Sequence, residues 1–170
     1  MSARGLVALA LGVVAAGLMA GCAGRRIEGG VFHSPKGYRV ALPGGEWTVA
    51  EESESDLELR HRTTPAAMLA NAQCGGRALA RSLDVLSRHL LMGFQSRTTV
   101  ERGEVAVHGR RAAHTVLDGR LSAKDDSVRV ETYVMTDELC VYDFAYAAPP
   151  RSFETWRAAF RRFVESFATE

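Results

Sequence analysis

The hydrophobic period of this chain switches between two and 3.6, and that switching limits its fold more than any other feature. Tyr38-Arg39-Val40-Ala41-Leu42 alternates like a strand and stops at the turn signal Pro43-Gly44-Gly45. Trp47-Thr48-Val49 restarts the pattern, and Asp56-Leu57-Glu58-Leu59-Arg60-His61-Arg62 alternates apolar and charged residues, as a sheet with one wet face does. Ala66–Cys74 is a small-apolar run closed by Gly75-Gly76. Leu79, Leu83, Leu86, Leu90, Leu91 and Phe94 then fall on one helical stripe, with Asp84 and Arg88 spaced for an ion pair and Gly93 placed to end the helix. Four further strands are expected over Thr98–Val107, Arg111–Leu117, Ser127–Met135 and Leu139–Ala147. After Pro149-Pro150, Ser152 is placed to cap a last helix whose apolar stripe is Phe153, Trp156, Phe160, Phe163, Val164 and Phe167.

Strands in runs, joined by short connections, give an α+β fold with one mainly antiparallel sheet covered by two amphipathic helices. The composition agrees: 46% of the 170 residues are hydrophobic and 24% charged, which excludes disordered, collagen-like and coiled-coil chains. With 21 basic against 20 acidic side chains, there is no electrostatic case for nucleic acid as a partner.

The first residues read as an address. Arg4 precedes a charge-free run from Leu6 to Ala20, too short for a permanent membrane span and followed by small residues. Leu18-Met19-Ala20-Gly21-Cys22 resembles the bacterial lipobox, with Met19 in place of the usual leucine. That resemblance implies cleavage after residue 21, a diacylglyceryl group on the Cys22 thiol, and anchoring through several acyl chains. Residues 1–21 are then a signal peptide, 22–31 the lipidated cysteine and a glycine-rich tether, and 32–170 one domain. The ten residues from Cys22 to Phe32 can extend to roughly 35 Å. Arg25 and Arg26 in the tether can meet anionic lipid, offset in part by Glu28. Ala23 after the lipidated position resembles the pattern of lipoproteins sorted to the outer membrane.

Ser34-Pro35-Lys36-Gly37-Tyr38-Arg39-Val40-Ala41-Leu42-Pro43, His89-Leu90-Leu91-Met92-Gly93-Phe94, and Cys140-Val141-Tyr142-Asp143-Phe144-Ala145-Tyr146 before the Phe-rich last helix resemble small bacterial envelope lipoproteins. In layout these are similar to the PsbP-like fold, shared with the Ran-binding Mog proteins. Over about residues 32–168 the resemblance implies a helix–sheet–helix sandwich that mostly hosts non-catalytic binding and assembly proteins, with no catalytic residue to carry over.

Few residues suggest chemistry on their own. Cys74 and Cys140 form an even pair in an exported domain, which reads as a disulfide locking two ladder segments; two buried free thiols are the alternative. His33, His61, His89, His108 and His114 lack metal-ligand spacing, so no metal site is expected. His61 and His108 read as solvated, His89 as a helix-edge packing residue, and His114 as a strand residue that any acid could meet. No GxSxG motif, calcium loop around Asp125-Asp126, or phosphate cradle at Gly44-Gly45 or Gly75-Gly76 is present, and no cofactor is implied. Asp143 stands in an apolar strand, where a buried carboxylate needs a donor such as a neighbouring arginine. The expectation is therefore a lipid-anchored envelope protein, facing the periplasm, whose domain binds another envelope protein. A small-ligand or lipid carrier with a deep apolar pocket is the alternative, and a hydrolase with converging His, Asp and Ser the third reading.

Overall fold

The computed structural model describes residues 26–170, side chains at 77 and 78 excepted. Cys22 and the leader lie outside the described residues. The described residues form a mixed α+β fold with two antiparallel sheets and two α-helices. Its strands are β1 (Arg26–Glu28), β2 (Val31–Ser34), β3 (Tyr38–Ala41), β4 (Trp47–Val49), β5 (Leu57–His61), β6 (Ala67–Cys74), β7 (Ser96–Val107), β8 (Arg110–Arg120), β9 (Val128–Thr136), β10 (Cys140–Ala148) and β11 (Ala168–Thr169). The helices are α1 (Leu83–Leu90) and α2 (Phe153–Glu165).

Seven strands form the larger sheet in the order β4-β5-β6-β10-β9-β8-β7. It consists of two meanders, β4-β5-β6 and β7-β8-β9-β10, whose only shared ladder is the β6–β10 pairing. The chain leaves β6, crosses through a 3-10 turn and α1, and restarts at the far edge strand β7. The β7–β8 hairpin closes on His108-Gly109, both at positive φ (47° and 77°), which suits the twist of a two-residue hairpin turn.

Alternation along β9 and β10 separates the two faces of this sheet. On one face Val134 and Val141 meet Leu86 of α1, while Val130 and Leu117 meet Leu91 just beyond it. On the other, Tyr133, Met135, Tyr142, Phe144 and Tyr146 meet Phe153, Phe160, Phe163 and Phe167 of α2 and its continuation. These side chains lose almost all contact with water, and at about 25 cal/mol per Å² that burial is the main stabilising term.

The smaller sheet, β1-β2-β3-β11, was not expected from the sequence. Phe32, Tyr38 and Val40 face the same core, with the Tyr38 ring 5.7 Å from Tyr142 and 5.9 Å from Phe167. The single-sheet expectation therefore becomes two sheets, because the chain after α2 adds β11 to β3 and the chain before Phe32 adds β1 to β2. Arg26–Glu28 pairs with Val31–His33 around Gly29-Gly30, so the second half of the expected tether, 22–31, is a hairpin. Both turn glycines have positive φ, a conformation open to glycine at little cost.

The first helix is also shorter than its stripe. Ser82 accepts the Val85 amide at 3.4 Å and starts α1, Leu79 falls in the preceding 3-10 turn, and Phe94 lies beyond the helix end. Gly93 has no positive φ; Leu91 is the C-cap instead. Ser152 does not cap α2 with its side chain, and its hydroxyl donates to the Pro149 carbonyl. The Asp84–Arg88 pair forms at 2.8 Å on the exposed side of α1.

Candidate functional site

The sequence-predicted residues scatter over the fold. Cys74 and Cys140 face each other at paired positions of β6 and β10 and are joined by a disulfide. His33 meets Glu170 at 2.7 Å, His89 meets Arg81 at 2.8 Å, and His108 meets the Glu165 carbonyl. His61, expected in solvent, is buried between Trp47 and Trp156, with ring centroids 5.1 Å and 4.1 Å away. Its Nδ1 accepts the Thr64 amide at 3.2 Å. Burial follows from its place on β5: it shares the inward face with Leu57 and Leu59, and α2 brings Trp156 over it. Asp125 and Asp126 lie between strands, in the connection from β8 to β9.

The arginine expected for Asp143 is not found among the described residues. Among the described residues no hydrogen bond or ion pair reaches its carboxylate, and burial pushes it up to about 6 from an ordinary value of 3.8. Arg129, the arginine of neighbouring β9, lies on the opposite, α2 face of the sheet and grips Asp118 at 2.7 Å and 2.8 Å. Two places along the same face, Thr132 has a buried hydroxyl without a partner. The folded state thus binds the Asp143 proton more tightly than the unfolded chain, so its contribution is most favourable below about pH 4 and is lost as pH rises through 6. Asp143→Asn is expected to stabilise the domain at pH 7 by about 1–2 kcal/mol, with the gain vanishing near pH 4. Urea melts of both proteins at the two pH values check this; an equal or negative difference at pH 7 contradicts it.

One polar cluster does converge, around Glu131 on β9. The side chain is fully buried on the α2 face. Its Oε1 accepts from His114 Nε2 at 2.8 Å, the Tyr133 hydroxyl at 3.2 Å and Arg161 at 3.3 Å, while Oε2 accepts from Arg157 Nε at 2.9 Å. Arg157 also reaches Glu101 on β7 at 2.9 Å and Glu154 at 3.3 Å. Burial alone would raise the Glu131 pKa, but the bonds from His114 and Arg157 and the charges of Arg157 and Arg161 outweigh it and hold the carboxyl at about 2. Burial and the neighbouring Glu131 charge push the Tyr133 phenol up to about 12.

His114, Tyr133 and Arg161 of the cluster line a groove of about 390 Å³ between the β7–β8 hairpin and α2, with Glu131 buried beneath them. Val105, Val107 and Val164 supply apolar walls, and Glu101, Arg161 and Glu165 supply charge at the rim. β7 is exposed along almost its whole length, so the groove has one wall that stands in solvent. A larger depression of about 600 Å³ beside Arg81, Glu104 and Arg111 is a shallow surface dip without a buried polar group.

Glu131, Tyr133, Arg157 and Arg161 were missed in the sequence because each sits in a pattern with an ordinary reading. Glu131 alternates with Val130 and Thr132 as a solvated strand residue would, and the arginines fill the gaps in the α2 stripe. The one available signal was Arg157 and Arg161 at i and i+4, flanking Phe160 on the core side.

Comparisons with solved structures settle the fold. The cyanobacterial PsbP protein CyanoP from Synechocystis matches with a TM-score of 0.57 at 13% identity, over 89% of this chain and 96% of that one. LpqN, described as involved in cell envelope biogenesis of Mycobacterium tuberculosis, matches with a TM-score of 0.58 at 15% identity, over 81% and 87%. A Pseudomonas aeruginosa protein of unknown function matches with a TM-score of 0.53 at 10% identity, over 74% and 99%. The chain thus has a PsbP-like fold. No family model and no curated protein sequence matches it.

Proposed function

We propose that this chain is an envelope lipoprotein, anchored through Cys22 and facing the periplasm, whose PsbP-like domain binds another envelope protein in the groove between β7 and α2. The lipobox-like Leu18–Cys22 carries the anchoring half of the reading. Among the described residues no helix is long and apolar enough to cross a membrane, so attachment would fall to the lipid. LpqN, with a similar fold, is described as involved in cell envelope biogenesis, which supports the compartment. Ala23 favours the outer membrane over the inner.

The observation that carries the binding half is the state of the groove floor. Glu131 already accepts from four side chains and is held ionised, and Tyr133 is held protonated, so neither exchanges a proton near neutral pH. Such a floor ties Arg161, and through Arg157 the rim residue Glu101, beside apolar walls, which is the anatomy of a binding surface. The carrier reading called for a deep apolar pocket. Instead the core between the sheets and α2 is filled by Phe32, Phe144, Phe153 and Phe160, each at 0% exposure, and the groove is open and mixed in polarity.

A photo-crosslinking residue at Val105 tests the groove in intact cells. The proposal expects one discrete protein adduct, lost in Glu165→Lys, a charge reversal at an exposed rim residue away from Glu131, while the thermal midpoint moves by no more than a few degrees. An adduct pattern unchanged by Glu165→Lys, or the same pattern from exposed Leu121 outside the groove, contradicts it.

A further inference from the structure

We infer that the domain does not hang clear of the bilayer but is held at the headgroup layer through its edge strand β1, with Arg26 and Ile27 against lipid. This rests on reading Cys22 as the lipidated residue. Only Ala23, Gly24 and Arg25 separate Cys22 from Arg26, which already pairs with His33. Four Cα steps of at most 3.6 Å place Arg26 no more than about 14 Å from Cys22, whatever path the intervening residues take. The polar layer on each side of a bilayer is about 5–8 Å deep, and an acylated thiol sits at its inner boundary. Strand β1 therefore starts within that layer or immediately above it. The roughly 35 Å of slack that a tether ending at Phe32 would have is not there.

The strand has the surface for this position. β1 is the edge of its sheet, with a neighbour on one side only. Ile27 shares the inward face with Phe32 yet is 41% exposed, because among the described residues nothing covers the open edge. On the outer face Arg26, His33, Arg39 and Ala168 form one row across β1, β2, β3 and β11. Arg26 pairs with Glu28 at 3.2 Å and His33 with Glu170 at 2.7 Å, so the row offers lipid one paired arginine at the edge and Arg39 behind it. A basic and an apolar side chain together at an interface suit an anionic lipid surface. β11 stands three strand spacings, about 14 Å, from β1. The groove, which reaches Glu165 just ahead of β11, is thereby carried on the side away from the bilayer.

The test uses the full lipidated chain, its Cys22 acylation verified by intact mass, in vesicles of phosphatidylethanolamine and phosphatidylglycerol that contain a headgroup-bound quencher. A fluorophore is placed on Ile27→Cys or on Ala168→Cys, in the presence of the native disulfide. Quenching at 27 is expected to exceed that at 168 severalfold, and to fall to the level at 168 when twelve Gly/Ser residues are inserted after Gly24. Equal quenching at the two sites, or no loss on insertion, overturns the inference while leaving the lipid anchor standing. Excimer emission from pyrene at 27 would show a second copy on the β1 edge and overturns it equally. An unacylated Cys22 removes the anchor reading, and the inference with it.

Discussion

Glu131→Gln is expected to lower the thermal midpoint at pH 7 by roughly 10 °C, a loss of about 3 kcal/mol. The substitution keeps the shape of the side chain but removes its charge and turns one accepting oxygen into an NH2 donor that faces other donors. Arg157, whose side chain is 13% exposed, then keeps only the partly exposed Glu101 and Glu154 as counter-charges. The pH dependence separates this from a packing defect. The folded-state pKa of Glu131 lies near 2, below its ordinary 4.5, so its stabilisation is complete above about pH 4.5 and disappears as pH falls toward 2. The gap between wild type and Glu131→Gln should be widest above pH 5 and close toward pH 2. A gap that stays constant across that range would mean the charge contributes nothing. Arg161→Lys keeps one charge beside Glu131 and should cost far less, because Arg161 is half-exposed and bonds at 3.3 Å.

Removing the disulfide comes next in size. The two meanders of the larger sheet meet only along β6 and β10, and Cys74 and Cys140 close one end of that ladder. The seam joins segments 66 residues apart, so its formation in the unfolded chain carries a large closure entropy that the bridge removes in advance. By the chain-entropy relation this is worth about 4 kcal/mol. The Cys74→Ala/Cys140→Ala variant should therefore unfold at a markedly lower urea concentration than the oxidised wild type, and dithiothreitol should shift the wild type toward the variant. Identical midpoints, or two titratable thiols in the native unreduced protein, would contradict a stabilising bridge.

The legible part of this fold is the part governed by local period. β5 to β10 lie within a few residues of where the local sequence pattern places them, and all but the exposed β7 have one face on the core. What escaped was decided by pairing at a distance. Arg26–Glu28 has no hydrophobic alternation and is a strand because β2 gives it a partner. Ala168 and Thr169 are too short a segment to carry a pattern, and are a strand because β3 gives them a partner. The candidate site was illegible for a related reason. Whether Glu131 is solvated or buried depends on which face of β9 receives α2, and Val130 and Glu131 alternate in the same way under either choice. Asp143 shows the converse: its oddity was visible in the sequence, but that no described residue pairs with it depends on which side chains the fold brings to the α1 face of the sheet.

The most direct test of an anchored envelope protein is the mass of the N-terminal peptide recovered from cell membranes, with and without globomycin. Without the inhibitor, the peptide should begin at Cys22 and carry a diacylglyceryl group with a further amide-linked acyl chain. With it, the peptide should keep residues 1–21 on a diacylated Cys22. A chain recovered from the soluble fraction with Met1 intact and an unmodified Cys22 would contradict the account.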